Sequence, residues 1–308
     1  MKEKREMTAA EEQAAIKKFE GMERAKSYNL SELGFTDVAK HLATNDTIIV
    51  SMGSTEKHGD HCPLGTDSFT AMGVIEQAAP LCDTLYTPLI PVGYSPHHMG
   101  EVFKGTGTLT FSGNTYRSVV YDLAMSLIYH GYNKMIFVTH HGSNSKVVDD
   151  ILRKIRYETG AFVGWYKTPT ERTFSIVEDI MEGPKVETPG WHAGELETST
   201  AWAYCPSSIA MGRARQDRTH APRFMGDKFS KHDGSGFVTF MGAESMWVPM
   251  EHHEYSDTAT IGNPLRSAKE KGEKYFEVAA QALAALVEEV KKMDVKVDLS
   301  KRHFTNRA

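Results

Sequence analysis

The chain has 308 residues, with 35 Lys plus Arg against 40 Asp plus Glu, and a formal net charge of −5. That balance offers no broad cationic surface for nucleic acid, and no apolar run reaches membrane-spanning length. The three cysteines, Cys62, Cys82 and Cys205, include no CxxC spacing, which excludes a disulfide framework and a Cys-rich zinc site and points to a reducing compartment.

Residues 1–33 read as a helical extension. The stretch "MKEKREMTAAEEQAAIKKFEGMERAK" is charged throughout and lacks the apolar core of a signal peptide, so a cytoplasmic location is the expectation. "DTIIVSMG" (46–53) is a β-branched run closed by glycine and predicts a buried strand. "DSFTAMGVIEQAAPL" (67–81) predicts a helix with Pro80 near its end. "LYTPLIPVGY" (85–94) predicts an irregular or edge strand because of its two prolines. Residues 114–132 carry helical apolar spacing and stop at Gly131. "KMIFVTHHG" (134–142) is the clearest strand. It is followed by a helix over 145–160 and a strand over 161–167. Residues 168–190 are poorly patterned and read as an excursion over the sheet, and 267–293 form a long closing helix. Alternating strands and helices predict a single α/β domain, with a mostly parallel sheet flanked by helices on both faces.

In such sheets ligands bind beyond the carboxyl ends of the strands. The loop "SMGSTEKHGDHCPLGTD" (51–67) leaves one strand end, and "THHGSN" (139–144) leaves another. If those strands are neighbours, Glu56, His58, Asp67 and His141 share one crevice. Two carboxylates and two imidazoles there form a divalent-metal site of mixed oxygen and nitrogen donors. The interspersed glycines let the backbone turn sharply enough to bring them together. A third cluster, "GWHAGELETST" (190–200), holds His192, Glu195 and Glu197. On a regular helix Glu195 and Glu197 diverge by roughly 200°, so one of them faces the metal and the other supports it from behind.

These motifs resemble the creatininase (creatinine amidohydrolase) family. "GSTEKHGDHCPLGTD" is similar to its opening metal loop, "THHGSN" to its second motif and "HAGELETS" to its third. "MGEVFKGTGTLTFS" (99–112) and "TATIGNPLRSAKEKG" (258–272) add to the likeness, which spans about residues 34–292 and leaves 293–308 as a tail. The resemblance implies a three-layer α/β/α fold and a two-metal centre of Zn, Mn or Fe. Glu56 and His141 would hold one ion and His58 the other, with Asp67 bridging. It also implies a catalytic His192 and a homo-oligomer, often a hexamer. Creatininase has a further glutamate ligand where this chain has Ser143. Glu195 is taken to replace it as a metal ligand, with Glu197 as the second choice and otherwise a catalytic carboxylate.

Bland readings stand beside these. Asp60 and His61 flank the ligands and are mostly structural candidates. His140 replaces a usually small residue and is read as facing solvent. His97 and His98 either line the pocket or brace a loop, and of His252 and His253 at most one reaches a pocket. Trp165 and Trp202 read as core, Trp191 as a substrate wall. The functional expectation is metal-dependent hydrolysis of a C–N bond in a small, polar, cyclic substrate. C–C cleavage of a cyclic polyol ketone, as in inosose hydrolases, is the alternative. A metal-braced binding or scaffold protein is the alternative from another class. Neither nucleic acid nor membrane is expected as a partner.

Overall fold

The computed structural model describes residues 5–100, 103–167, 177–298 and 300. The N-terminal helix α1 (Ala9–Lys18) is closed by a Thr8–Glu11 capping box and buries none of its residues. After α2 (Phe35–Leu42), the chain enters β1 (Thr47–Ser51), α3 (Thr66–Leu81), β2 (Leu85–Tyr86), α4 (Gly113–His130) and β3 (Lys134–Thr139). A short α5 (Gly142–Ser145), α6 (Asp149–Thr159) and β4 (Phe162–Lys167) follow. The four strands form a parallel sheet in the order β2-β1-β3-β4. β1 and β3 lie side by side along their full length, Thr47 opposite Lys134 and Ser51 opposite Val138. The two metal-type loops therefore leave neighbouring strand ends.

Side-chain alternation splits the core in two. Ile49, Ile136 and Val138 face one side, where α3 packs with α7 (Glu195–Tyr204) and the closing helix α9 (Lys269–Lys291). Ile48, Val50, Met135 and Phe137 face the other side, against residues of α4 and α6 such as Val120 and Ile155. Trp165 joins this second core, stacked on Phe137 at 5.8 Å. α9 shows why it docks: Tyr275, Phe276, Ala279, Ala280, Leu283, Ala284, Val287 and Val290 are all buried and repeat at helical spacing. Gly272 lets this helix approach α7, because a Cβ there would lie 2.1 Å from the Ser199 carbonyl oxygen. Gly272→Ala gains about 1 kcal/mol of helix propensity. It nonetheless forces two backbones apart, and we expect a net loss of about 1–3 kcal/mol. An unchanged melting temperature would contradict this packing.

The structure refines several sequence expectations. The stretch 85–94 is a strand only at Leu85–Tyr86; Ile90, between its prolines, makes an isolated bridge to Met52, and Gly93, beyond them, makes one to Thr110. Pro80 sits in the last turn of α3 and Gly131 closes α4 in the left-handed region at φ 118°. Of the expected excursion, 168–176 lie outside the described residues, and 177–190 run as turns around a short 3-10 turn at Lys185–Glu187. A three-stranded antiparallel sheet, β5 (Phe229–Ser230), β6 (Phe237–Phe240) and β7 (Glu244–Trp247), was not anticipated. Its signal is weak but present in "FVTFMGAESMW", where two short runs flank Met241 and Gly242, both at positive φ. A four-residue helix α8 (His252–Tyr255) precedes α9.

Candidate metal centre

Each ligand-type side chain is held by its backbone setting. The loop after β1 is pinned at both flanks: the Glu56 amide donates to the Leu64 carbonyl (2.9 Å) and the Gly59 amide to the Ala259 carbonyl (2.7 Å). Gly59 adopts φ 58°, and a Cβ there would lie 2.7 Å from the His61 ring, so this turn requires glycine. Asp67 sits in the first turn of α3, where the helix N-terminus favours a carboxylate. His141 follows β3. Buried Asn144 ties this loop to its neighbours: its amide group donates to the Gly53 carbonyl (3.1 Å), and its side-chain oxygen accepts from the Tyr94 amide (2.8 Å). His192 is fixed by paired backbone bonds with Ile261.

These elements bring Glu56, His58, Asp67, His141 and Glu197 into one buried cluster. Two donor sets that share Asp67 overlap in it, Glu56, Asp67 and His141, and His58, Asp67 and Glu197, and Glu56 and His58 form a further set with His192. Within each set the ligand atoms lie within 4.8 Å of one another. Ligands about 2.0–2.2 Å from an ion are at most about 4.4 Å apart, so small side-chain adjustments close either set. The Oδ1 of Asp67 lies 3.5 Å from His58 Nε2, and its Oδ2 lies 3.2 Å from His141 Nδ1, so one carboxylate faces both sets.

Tautomers follow from carbonyl partners, which can only accept. His58 Nδ1–H donates to the Glu56 carbonyl (3.1 Å), which aims Nε2 at Asp67 and Glu197. His141 Nε2–H donates to the Tyr94 carbonyl (3.0 Å), which aims Nδ1 at Glu56 and Asp67. Backbone partners behind metal-type imidazoles are the usual orienting device. Glu56 Oε2, His58 Nε2 and Asp67 Oδ2 are buried without a hydrogen-bond partner among the described residues. Such atoms are costly unless something fills their valence, and this oxygen and nitrogen donor set suits a divalent cation.

The charges agree. Burial alone would lower the His58 imidazole, but Asp67, Glu197 and Glu56 outweigh it and push it up to about 10. Burial pushes the Glu197 carboxyl up to about 8 against the opposing charge of His58. The metal-free cluster thus retains protons that a cation must displace.

Glu195 is not in the cluster. It begins α7 facing away, and its carboxylate accepts from Lys271 Nζ (2.6 Å) and from the Glu182 and Gly183 amides (both 2.8 Å). Glu197, two residues on, turns inward with Oε2 3.4 Å from His58 Nε2, and the Ala193 amide donates to it (2.7 Å). The assignment of Glu195 as ligand is thereby corrected: its valences are spent on a structural ion pair. Ser143 lies at the cluster's edge, its hydroxyl 3.3 Å from Lys146 Nζ and 3.4 Å from His97 Nε2.

The remaining candidates sort clearly. His192 is buried, stacks on His58 at 4.1 Å and donates from Nε2–H to the Lys57 carbonyl (2.8 Å); its Nδ1 lies 3.9 Å from Glu56. His140 does not face solvent: it is buried, with Nε2 3.7 Å from Glu197 Oε1. His61 is buried against the Thr198 hydroxyl (2.9 Å), whereas Asp60 is exposed beside Arg213. His98 and His252 enter the site, and His252 lies on α8 rather than on a strand. The cluster floors a cavity of about 350 Å³ whose walls include Trp191, Trp247, Phe237 and the 234–236 turn of the antiparallel sheet. Sequence reasoning missed that sheet and with it the part of the cavity wall formed by residues 234–237 and Trp247.

Overlapping oxygen and nitrogen donor sets at the carboxyl ends of neighbouring parallel strands mark a metal-dependent hydrolase of α/β architecture. The chain belongs to the creatininase family: residues 31–287 match the family of creatinine amidohydrolase. It is 24% identical to the creatinine amidohydrolase of Pseudomonas putida over 279 residues, 86% of this chain and 98% of that one. It is 28% identical to the 3-dehydro-scyllo-inosose hydrolase of Thermotoga maritima over 190 residues, 60% of this chain and 58% of the relative. It is 29% identical to the mycofactocin precursor peptide peptidase of Mycolicibacterium smegmatis over 166 residues, 53% of this chain and 59% of that one. Among solved structures, crystalline creatininase shares the fold at a TM-score of 0.68 and 22% identity, over 87% of this chain and all of the other. A putative creatinine amidohydrolase from Bacteroides fragilis does so at 0.67 and 24%, over 88% and 98%. Creatininases of Zn-Zn and manganese type match at 0.66 and 0.67. No helix among the described residues is long and apolar enough to cross a membrane.

Proposed function

We propose that this chain hydrolyses a C–N bond in a small polar, cyclic substrate with two divalent ions, Zn, Mn or Fe. Glu56, Asp67 and His141 would hold one ion, and His58, Asp67 and Glu197 the other. The observation that carries this reading is the pair of donor sets sharing Asp67 on the floor of a cavity of about 350 Å³, a volume suited to a small molecule. When bound, two such ions lower the pKa of a water and polarise a carbonyl. Glu197 serves as a ligand in this reading, and not as the free carboxylate base expected from the sequence. Its Oε2 is already engaged with the Ala193 amide and faces His58.

His192 then carries the proton. Its Nε2–H is tied to the Lys57 carbonyl, so Nδ1 offers a lone pair on the side of Glu56. Burial holds the imidazole well below its usual range, so it starts neutral; a ring of low basicity does not keep a proton, and His192 would relay one from the attacking water to the departing nitrogen through Nδ1. His192→Asn should keep both metals and its melting temperature while kcat falls about 10²–10⁴. Depleted metal in that variant would make His192 a ligand, and near-normal kcat would remove it from the chemistry.

Ser143 favours a substrate other than creatinine, since creatininase carries a glutamate there. The likeness to an inosose hydrolase supports C–C cleavage of a cyclic polyol ketone as the second reading. Screening zinc-, manganese- and iron-loaded protein against cyclic amides, formamides and cyclic polyol ketones decides between them. Turnover confined to the ketones would overturn the C–N reading, and no turnover with both metals in place would favour a binding role.

A further inference from the structure

His140 has no part in the chemistry proposed above, yet it is built into the same cluster. It directly follows β3, is 3% exposed, and borders the cavity beside the donor residues. Both of its ring nitrogens are buried without a hydrogen-bond partner among the described residues. Its ring packs edge-on against Tyr275 of α9, at 6.2 Å between centroids. An imidazole carries at least one N–H in any protonation state, and at this depth water does not satisfy it. The polar group it faces is a carboxylate oxygen: His140 Nε2 lies 3.7 Å from Glu197 Oε1.

The two oxygens of Glu197 have different surroundings. Oε2 accepts from the Ala193 amide (2.7 Å) and lies 3.4 Å from His58 Nε2, so it is the oxygen aimed at the His58 set. Oε1 points toward His140. A carboxylate held at one oxygen alone can swing and offer a cation either oxygen or both. A donor at Oε1 removes that freedom. An N–H···O bond spans about 2.9–3.0 Å, so a shift of under about 1 Å by either side chain makes it. His140 belongs to none of the donor sets among the described residues. Its route to an ion therefore runs through Glu197.

We propose that His140 is a positioning residue for Glu197: its Nε2–H donates to Oε1 and holds Oε2 toward His58 and the ion of that set. This rests on reading Glu197 as a metal ligand. Neighbouring histidines then divide the work, His141 as a donor to one set and His140 as the support behind the other.

The test measures zinc affinity by competition with a chromophoric chelator, and needs no substrate. His140→Leu removes the N–H and keeps an apolar side chain in the buried space. His140→Gln returns an N–H near the Nε2 position, and His140→Asn places one near Nδ1 instead. We expect His140→Leu to bind zinc at the His58 set about 10–100-fold more weakly, the usual loss when a group behind a ligand is removed, with the His141 set unchanged. His140→Gln should recover most of that loss and His140→Asn little of it, a contrast that holds the test even if the leucine variant does not fold. Adding His140→Leu to Glu197→Gln should cost nothing further, because both changes act on one interaction. Native zinc affinity in His140→Leu and His140→Asn would overturn the proposal. So would a further loss in the double variant, which would make His140 a ligand in its own right. Equal weakness of His140→Gln and His140→Asn would overturn it too, since the ring and not the Nε2–H would then matter. The reading beneath it fails differently: Glu197→Gln with two ions would sink Glu197 as a ligand, and a native chain that takes up no zinc would sink the metal centre.

Discussion

Asp67→Ala should strip the protein of both metal ions and of turnover together. Asp67 is the one residue common to the two donor sets, with one oxygen toward His58 and the other toward His141. Every other proposed ligand serves one of these two sets, although Glu56 also approaches His58 (3.7 Å) and the two form a further donor set with His192. Removing Asp67 leaves His58 and His141 facing each other across a gap with less negative charge to neutralise a cation. Metal analysis should fall from two ions per chain toward none. Activity should fall at least as far as for His192→Asn, by about 10²–10⁴ or more. A second readout needs no substrate. A ligand that binds only the folded state stabilises it by RT ln(1 + [L]/Kd), so zinc should raise the melting temperature of the native chain and leave Asp67→Ala unmoved. Full metal occupancy in Asp67→Ala would end the shared-bridge reading. Glu56→Ala should weaken the His141 set more than the other, leaving close to one ion per chain.

The gathering of this candidate centre was legible in the sequence because its donor residues lie close to strand ends. Glu56, His58 and Asp67 fall within one loop after β1, and His141 directly follows β3. A parallel α/β reading requires such ends to gather at one edge, and the register of β1 on β3 makes them neighbours. The split between Glu195 and Glu197 was legible only as an either-or. Two residues on a helix diverge, but which of them faces inward depends on where Lys271 lies on α9, 76 positions away from Glu195. His140 was misjudged for a related reason. A lone histidine after a strand gives no periodic signal, and its burial comes from α7 and α9 packing over that strand end; its ring meets Tyr275 edge-on at 6.2 Å. His98 and His252 were weighed as pocket residues but could not be joined, because a loop before α4 and a four-residue helix near the C-terminal end meet only in the folded chain. The antiparallel sheet escaped because its strands span two to four residues, too short for alternation to stand out.

The neighbouring glutamates should separate cleanly when each is changed to glutamine. Glu197→Gln replaces an inward carboxylate whose Oε2 lies 3.4 Å from His58 Nε2. A neutral amide is a poor ligand for a hard dication, so the His58 set should lose its ion and the His141 set keep one. Metal content should drop to about one per chain. Affinity at the weakened site should fall by at least the roughly 10–100-fold seen when a supporting group behind a ligand is lost. Glu195→Gln should do the reverse. It breaks an ion pair between a fully buried carboxylate and Lys271, whose side chain is 13% exposed. It also weakens the acceptor for the Glu182 and Gly183 amides. Removing one partner of a buried pair is costly, here about 1–3 kcal/mol because Lys271 keeps Glu182 Oε1 at 3.2 Å and the Arg266 carbonyl at 2.7 Å. Glu195→Gln should therefore melt several degrees lower while carrying two ions. Metal content and melting temperature on the same preparations distinguish the roles. If Glu195→Gln sheds an ion at unchanged stability while Glu197→Gln keeps two, the ligand is Glu195, and α7 must turn its first residue inward when metal binds.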